Sequence, residues 1–362
     1  MSETILLTGA TGFLGMDLLA RLIEQDASDI VCLVRAPSAE AAAERLEVVL
    51  ARLYDERPAA AARVSAVAGD VSVDGLGLTP ADRAALLDRV SNVIHCAASI
   101  SFTVSLEEAR EINAGGAVRM LELSRELAER GQLQRHVHVS TAYVAGRHHG
   151  RFLETELDVG QGFRNTYEQS KFDAERALGE RIGDLPVVIA RPSVIVGDSR
   201  TGWTSAFNVI YWPMRAFSRG LMEEVAIDPE GVVDIVPVDY VSAAILELLT
   251  LPEASGTVAL VAGDGAPTNA ELIELACRQF DREPPRIVAT PASRLQDTEL
   301  YVPYFGIAAS LDDRRARELL VPVGLAPPPL RDYFGTLIGF AERSRWGKIA
   351  ITRQAAGEGV PG

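Results

Sequence analysis

The chain lacks most of what would place it in a membrane, on nucleic acid or outside the cell. No window of its 362 residues approaches the ~18 uninterrupted apolar residues of a membrane span, so no transmembrane segment is expected. Met1-Ser2-Glu3-Thr4 puts no basic region ahead of the short apolar run that follows, which argues against a secretory signal. Positive charge is in deficit, with 35 Lys and Arg against 50 Asp and Glu and a formal net charge of -15. Such a surface repels a nucleic-acid backbone or an anionic membrane and leaves local basic patches for anionic ligands. Cysteine is scarce: Cys32, Cys96 and Cys277 sit in apolar or helical contexts without metal-ligand spacing, as expected of buried thiols in a reducing cytoplasm. The five histidines offer no metal set either, because His136 and His138 flank Val137 at strand spacing and His148-His149 falls in a loop. No metal and no internal repeat are expected. Hydrophobic residues at 48% and charged residues at 23% suit an ordinary globular chain with room for one large or two modest domains.

What the chain does carry begins at its first apolar run. Ile5-Leu6-Leu7 leads into Thr8-Gly9-Ala10-Thr11-Gly12-Phe13-Leu14-Gly15 and then into the helical pattern Met16 to Ile23. A buried strand, a turn with three glycines spaced three apart and a helix make up a dinucleotide-binding unit. One glycine makes the turn, one lets a pyrophosphate approach the backbone, and one lets helix and strand pack closely. The helix N-terminus then presents amide hydrogens and a positive dipole end to the phosphates. Ile30 to Val34 reads as a second buried strand, ending at Arg35. A carboxylate there would accept from the ribose hydroxyls of NAD, whereas an arginine pairs with the 2′-phosphate of NADP, so Arg35 favours NADPH over NADH.

Strand and helix patterns alternate from there. Ser38 N-caps an Ala-rich helical segment reaching Glu56; Val64 to Ala68 is a strand delivering Gly69-Asp70-Val71 to its end, where Asp70 either approaches the adenine or simply makes a turn. Pro80 to Arg89 is helical, and the strand Asn92 to His95 ends in the small residues Cys96-Ala97-Ala98-Ser99, suited to a close-lying cofactor or to close helix packing. Glu107 to Arg130 is a long helical pattern interrupted by Asn113-Ala114-Gly115-Gly116, a costly insertion that calls for a reason. Arg135 to Val139 and Pro186 to Ala190 are further strands, followed respectively by Ser140 to Gly146 and Arg191 to Gly197; Asp234 to Val241 returns to the sheet, with a helix from Ser242 and a strand Thr257 to Val261. The alternation implies an α/β fold built on a doubly wound parallel sheet. Trp203, Phe207, Tyr211, Trp212 and Phe217 cluster as a substrate pocket or as a second core. Gln354 to Gly362 reads as a flexible tail.

The chemistry centres on Tyr167-Glu168-Gln169-Ser170-Lys171, a phenol and an ammonium at i and i+4 on one helical face. An adjacent ammonium favours phenolate and brings the tyrosine into useful acid-base range, and Thr141 at the preceding strand end could bond the same carbonyl oxygen.

Thr8 to Gly15, Asn113 to Gly116, Ser140-Thr141-Ala142-Tyr143 and Tyr167 to Lys171 together resemble an extended short-chain dehydrogenase/reductase, from residue 3 to about residue 245. Gly69-Asp70-Val71-Ser72 with Leu76 to Thr79, His95 to Ala98 with Phe102, Val139 to Val144, and Arg191-Pro192-Ser193 resemble the thioester-reductase subgroup, that is, fatty acyl-CoA reductases and terminal reductase domains of carboxylic acid reductases and peptide synthetases. The resemblance implies a Rossmann-type cofactor domain at 1–197 and 232–262, a smaller, mostly C-terminal substrate domain at 198–231 and 263–350, and a tail at 351–362. It implies Thr141, Tyr167 and Lys171 as catalytic, with Lys171 holding the nicotinamide ribose. Cofactor contacts are expected at Thr8, Gly9, Thr11, Gly12, Phe13, Leu14, Gly15, Arg35, Asp70, Val71, Ala97, Ala98 and Ser99. Asn113, Tyr167, Lys171, Pro192, Ser193, Val194 and Ile195 are expected to complete that set, Asn113 either supporting the catalytic water or the lysine or serving structure alone. The implied reaction is NADPH-dependent reduction of an acyl-CoA or acyl-carrier thioester to an aldehyde or onward to an alcohol, a step of lipid metabolism. Arg147, Arg151 or the Arg314-Arg315-Arg317 cluster could form a basic rim for the carrier's phosphates, the cluster equally reading as a solvated helix face. The rivals are sugar-nucleotide epimerisation or dehydration, ketone or hydroxysteroid oxidoreduction, and a non-enzymatic NADP-binding regulator.

Overall fold

The computed structural model of the chain describes residues 3–25, 28–207, 209–289, 302–306 and 309–358. Strands β1 (Thr4–Thr8), β2 (Asp29–Val34), β3 (Val64–Ala68), β4 (Asn92–His95) and β5 (Arg135–Val139) alternate with helices α1 (Phe13–Gln25), α2 (Ala39–Leu53), α3 (Pro80–Arg89), α4 (Leu106–Arg110) and α5 (Gly116–Glu129). Then come β6 (Gly150–Phe152), α6 (Thr166–Gly179), β7 (Val187–Pro192), β8 (Val194–Val196), α7 (Tyr211–Ser218), β9 (Glu224–Val225), β10 (Ile235–Pro237), α8 (Val238–Thr250) and β11 (Gly256–Leu260). The described C-terminal part holds α9 (Asn269–Phe280), β12 (Arg286–Ile287), β13 (Ala309–Leu311), α10 (Arg314–Leu320), α11 (Leu330–Arg343) and α12 (Arg353–Gly357).

Seven strands form one parallel sheet in the order β11-β7-β5-β4-β1-β2-β3. This is the Rossmann-type doubly wound sheet that the alternating pattern implies. The chain winds outward from β1 in one direction and from β4 in the other, so a crevice opens beyond the carboxyl ends of β1 and β4. Strands β1 and β2 are mostly apolar because helices cover both faces: Ile5 and Leu7 pack with α1, α2 and α8, Leu6 with α3 and α5. Among the described residues no helix is long and apolar enough to cross a membrane.

Several elements differ from the sequence expectation. Residues 235–237 pair with β8 rather than joining the main sheet, and the following helix begins at Val238, not Ser242. The backbone after β7 has already left the sheet, and β10 follows it. Trp203, Tyr211 and Phe217 are buried, and Phe207 stacks on Phe340 at 6.3 Å, so this segment is core rather than an open pocket wall. Trp203 and Phe340 join α10 residues Ala316, Leu319 and Leu320 in the core beneath the sheet, so parts of 198–231 and 263–350 pack with the cofactor half.

The expected tail is docked over residues 351–358, residues 359–362 lying outside the described part. Thr352 N-caps α12, the Trp203 indole donates to the Ile351 carbonyl at 3.3 Å, and Gln354 accepts from the amides of Asp55 and Glu56. Arg353 donates to Asp17 Oδ1 at 2.9 Å and pairs with Glu24 at 2.6 Å. Asp17 is a fully buried charge on α1, and it is held low because Arg353, Arg21 and the Ser242 hydroxyl together overcome the burial that would raise it.

On the opposite face of the sheet lie three buried histidines. The His95 and His138 rings are 5.2 Å apart, and His95 and His136 are 6.5 Å apart. His136 meets Ser124 through Nδ1 at 2.9 Å, and His95 meets Thr8 at 2.7 Å, whereas both His138 nitrogens are without a hydrogen-bond partner among the described residues. Burial lowers all three, His136 to about 4, and the proximity of Lys171 lowers His95 and His138 further.

Removing Arg353 leaves a buried carboxylate short of a partner, so Arg353→Ala is expected to cost about 2 kcal/mol. A urea midpoint that falls at constant m is the check; an unmoved midpoint would mean that α12 does not anchor α1. The histidines carry a pH signature. Their folded pKa values lie below the unfolded value, so the unfolded chain takes up protons first, and the stability intact above pH 6.5 drains as pH falls toward 4. His138→Leu is expected to flatten that acid slope between pH 7.5 and 5 in parallel urea titrations, and an unchanged slope would assign it to other groups.

Candidate active site

The turn after β1 is shaped by contacts no side chain could tolerate. Gly9 has φ +79°, and a Cβ there would lie 2.7 Å from the Ala97 amide; a Cβ on Gly15 would overlap the Gly9 carbonyl oxygen. Gly12 is different: it is exposed, and an added Cβ would meet only the Gly9 oxygen at 3.3 Å. The protein's own packing scarcely requires glycine there, whereas close approach of an external group to the backbone does. Thr11 is exposed beside it, Phe13 and Leu14 are half-buried at the start of α1, and the first turn of α1 carries no acidic side chain to oppose a phosphate. These residues fit a dinucleotide's pyrophosphate. Thr8 is fully buried; its hydroxyl accepts from the Ala97 amide at 3.1 Å and meets His95, tying the ends of β1 and β4 together.

At the end of β2, Arg35 is exposed, and among the described residues its guanidinium has no ion-pair partner. Arg45, a residue the sequence reading did not single out, reaches back from α2 to donate to the Arg35 carbonyl. Two guanidinium-bearing residues thus meet at this strand end. The signal in the sequence was the ten-residue spacing across a helix N-terminus capped by Ser38, which accepts from Ala41. Asp70 is spent on its own turn, its Oδ1 accepting from the Ser72 amide at 2.9 Å and hydroxyl at 2.7 Å. Val71 is buried against Gly116, whose missing side chain leaves it room.

The helix interrupted at Asn113 is continuous, with a π-helical turn at Glu111–Gly115 between α4 and α5. The turn aims Asn113 inward. Its Oδ1 accepts from the Ser99 amide at 2.8 Å, and its Nδ2 donates to the Ser99 carbonyl at 3.0 Å and to Ser170 Oγ at 2.8 Å. Asn113 therefore fastens the β4 end to α6, and among the described residues it makes no hydrogen bond to Lys171. Ala98 and Ser99 stay half-buried at the crevice.

Thr141, Tyr167 and Lys171 converge on the β5 end. Thr141 donates to the Pro192 carbonyl at 3.4 Å and accepts from the Tyr143 amide at 3.3 Å, and its hydroxyl lies near enough to the Tyr167 phenol to ease its ionisation. Lys171 is buried and donates to the Val139 carbonyl at 2.8 Å. Burial pushes the Tyr167 phenol up to about 12, the Thr141 contact drawing it back and Glu168 opposing. The downward pull expected of Lys171 does not figure among these influences, and with burial dominant the phenol keeps its proton at neutral pH. Burial lowers Lys171 itself to about 8, Glu175 and Cys96 partly restoring it. Pro192, Ser193, Val194 and Ile195 bracket the far side at the junction of β7 and β8, and the buried Ser193 hydroxyl has no hydrogen-bond partner among the described residues. The basic cluster is neutralised internally: Arg151 and Arg314 share Asp312, Arg317 pairs with Asp313, and Arg315 with Glu318.

The NAD-binding family model described as male sterility protein matches residues 7–245. Human fatty acyl-CoA reductase 1 is 27% identical over 274 residues, covering 66% of this chain and 53% of that protein. The fatty acyl-CoA reductase wat of Drosophila melanogaster is 27% identical over 276 residues, covering 67% of this chain and 53% of its own. The chain thus spans about half the length of these curated relatives. Among solved structures, the terminal R domain of the myxalamid PKS-NRPS pathway superposes with a TM-score of 0.82 at 27% identity, covering 97% of this chain and 93% of that one. UDP-glucuronic acid 4-epimerase from Bacillus cereus, in complex with NAD, shares the fold at a TM-score of 0.69 and 16% identity, covering 95% and 98%.

Proposed function

The chain belongs to the male sterility protein family, and on that premise we propose that it is an NADPH-dependent oxidoreductase that reduces acyl thioesters to aldehydes. The observation that carries this reading is the Thr141–Tyr167 contact: a phenol that keeps its proton, held beside a second hydroxyl and four residues from a buried lysine. The likeness to fatty acyl-CoA reductases and to a terminal reductase domain supports the substrate class.

A nicotinamide bound in the crevice supplies the hydride. The protein's groups do the rest. Gly12 and the start of α1 seat the pyrophosphate, and Arg35 with Arg45 holds the 2′-phosphate. Thr141 and Tyr167 donate to the thioester carbonyl; as the carbon gains hydride, the oxygen becomes an oxyanion and takes the Tyr167 proton. Collapse of the resulting hemithioacetal breaks the C–S bond, releasing thiol and aldehyde. Lys171, charged below its pKa of about 8, offsets the phenolate left on Tyr167 and holds the ribose hydroxyls. With the Arg314 cluster paired off, Arg147, exposed and bonded only to the Phe163 carbonyl among the described residues, is the remaining basic group for the carrier's phosphates.

Purified protein with NADPH and a panel of acyl-CoAs and acyl-carrier thioesters is expected to lose absorbance at the nicotinamide band. Turnover of a sugar nucleotide with no thioester oxidising NADPH would sink the proposal. Tyr167→Phe is expected to lower kcat ~100-fold with cofactor affinity retained; near-normal turnover would remove the phenol from the mechanism. Arg35→Ala and Arg45→Ala should each weaken NADPH about tenfold while leaving NADH unchanged, read by cofactor fluorescence titration. Equal losses for both cofactors would refute the 2′-phosphate assignment.

A further inference from the structure

The helix that carries Tyr167 and Lys171 is fastened at its first turn by a residue from a distant part of the chain. Asn165 is the N-cap of α6, its Oδ1 accepting from the Glu168 amide at 2.9 Å. Its Nδ2 donates at 2.7 Å to the hydroxyl of Tyr304, 139 positions away. The Glu168 carboxylate lies close enough to Tyr304 to raise its phenol, and it is held by the Arg164 amide at 2.9 Å and guanidinium at 3.2 Å. The phenol thus completes the cap two residues before Tyr167. Its ring serves a second surface. It stacks on Phe102 at 5.6 Å and 23°, meets Tyr143 edge-on at 5.0 Å, and Phe102 lies 6.1 Å from the Tyr167 ring.

The first turn of a helix is where backbone bonds are fewest and fraying begins. Tyr167 sits in that turn, so the accuracy of its aim depends on the cap. Asn165 is half-buried, and an amide donor there that lost its acceptor would pay part of a desolvation cost, which the Tyr304 hydroxyl removes. We propose that Tyr304 is a positioning residue of the reaction: its hydroxyl fixes the start of α6 and hence Tyr167, and its buried ring backs the half-buried Phe102, which beside Tyr167 is the apolar wall for the acyl carbons next to the reacting carbonyl. The second half rests on the thioester-reductase reading; the first half stands on the contacts alone.

The test compares Tyr304→Phe, Tyr304→Ala and Asn165→Ser, the serine keeping a helix cap while losing the amide donor. Tyr304→Phe is expected to lower kcat about tenfold, leave KM for the thioester and Kd for NADPH within twofold, and speed amide hydrogen exchange at residues 166–169. Tyr304→Ala adds a roughly tenfold rise in KM. Asn165→Ser should match Tyr304→Phe, and the double variant should be no worse than either, since both remove one bond. Wild-type kcat and exchange in Tyr304→Phe would overturn the proposal, as would losses of rate that track losses of NADPH affinity and thermal stability, the mark of a merely structural role. If the wild-type protein reduces no thioester, the function fails, while the exchange measurement still decides the link between Tyr304 and α6.

Discussion

The site depends on one close approach of backbone to backbone. Gly9, in a left-handed turn, lies against Cys96 and Ala97, and Gly15 lies against Gly9. The first contact brings the carboxyl ends of β1 and β4 together where the strand order reverses; the second seats α1 over them. Thr8 adds the polar stitch, bridging His95 and the Ala97 amide. Everything chemically interesting is hung from that junction. Asn113 holds Ser99, just beyond β4, to Ser170 on α6, and Lys171 on the same helix reaches the Val139 carbonyl at the end of β5. A side chain at Gly9 or Gly15 would therefore disturb the aim of Tyr167 as well as the phosphate loop.

Burial then sets the electrostatics. Of 35 Lys and Arg in the chain, Lys171 and Lys348 are the lysines. Arginine is used for ion pairs throughout, including the buried bridge of Arg191 to Glu175 at 2.6 Å. At 171 a guanidinium would stay charged at any working pH and would need a planar partner; an ammonium is compact and titrates when buried. The neutral histidines beneath it belong to the same design, since a charged imidazole at His138 would compete with Lys171 for the same low-dielectric space. A protonated phenol above and a weakened ammonium beside it suit donation of a proton to a developing oxyanion, which is the direction of a reduction.

Much of this was legible in the sequence because local rules governed it. The glycine spacing, the Ser38 cap, the apolar strands and the small residues after His95 are each demanded by neighbours a few positions away, and the structure has them where the pattern places them. The i, i+4 relation likewise put Tyr167 and Lys171 on one helical face. Where two readings were open, packing decided. Asp70 caps its own turn, Trp203 and Tyr211 are core, and the Arg314 cluster is consumed by Asp312 and Asp313. Composition offers no way to separate these outcomes, because a carboxylate, an indole or a guanidinium has the same identity whether it faces a ligand or a neighbour.

The residues that were illegible share one property: they act across long separations. Arg353 reaches Asp17 from the far end of the chain, Tyr304 reaches Asn165 across 139 positions, and β13 pairs with β6. No periodicity links such pairs, and each involves a polar atom whose partner is fixed only by the finished fold. They are also the contacts by which the C-terminal part meets the cofactor half. Arg353 fastens α1, which follows the glycine-rich turn, and Tyr304 fastens α6, which carries Tyr167 and Lys171. A glycine-rich turn and a Tyr-Lys pair carry the proposed reductase chemistry, whereas the C-terminal contacts determine how firmly α1 and α6 are held, and it is on that side that substrate selection would act.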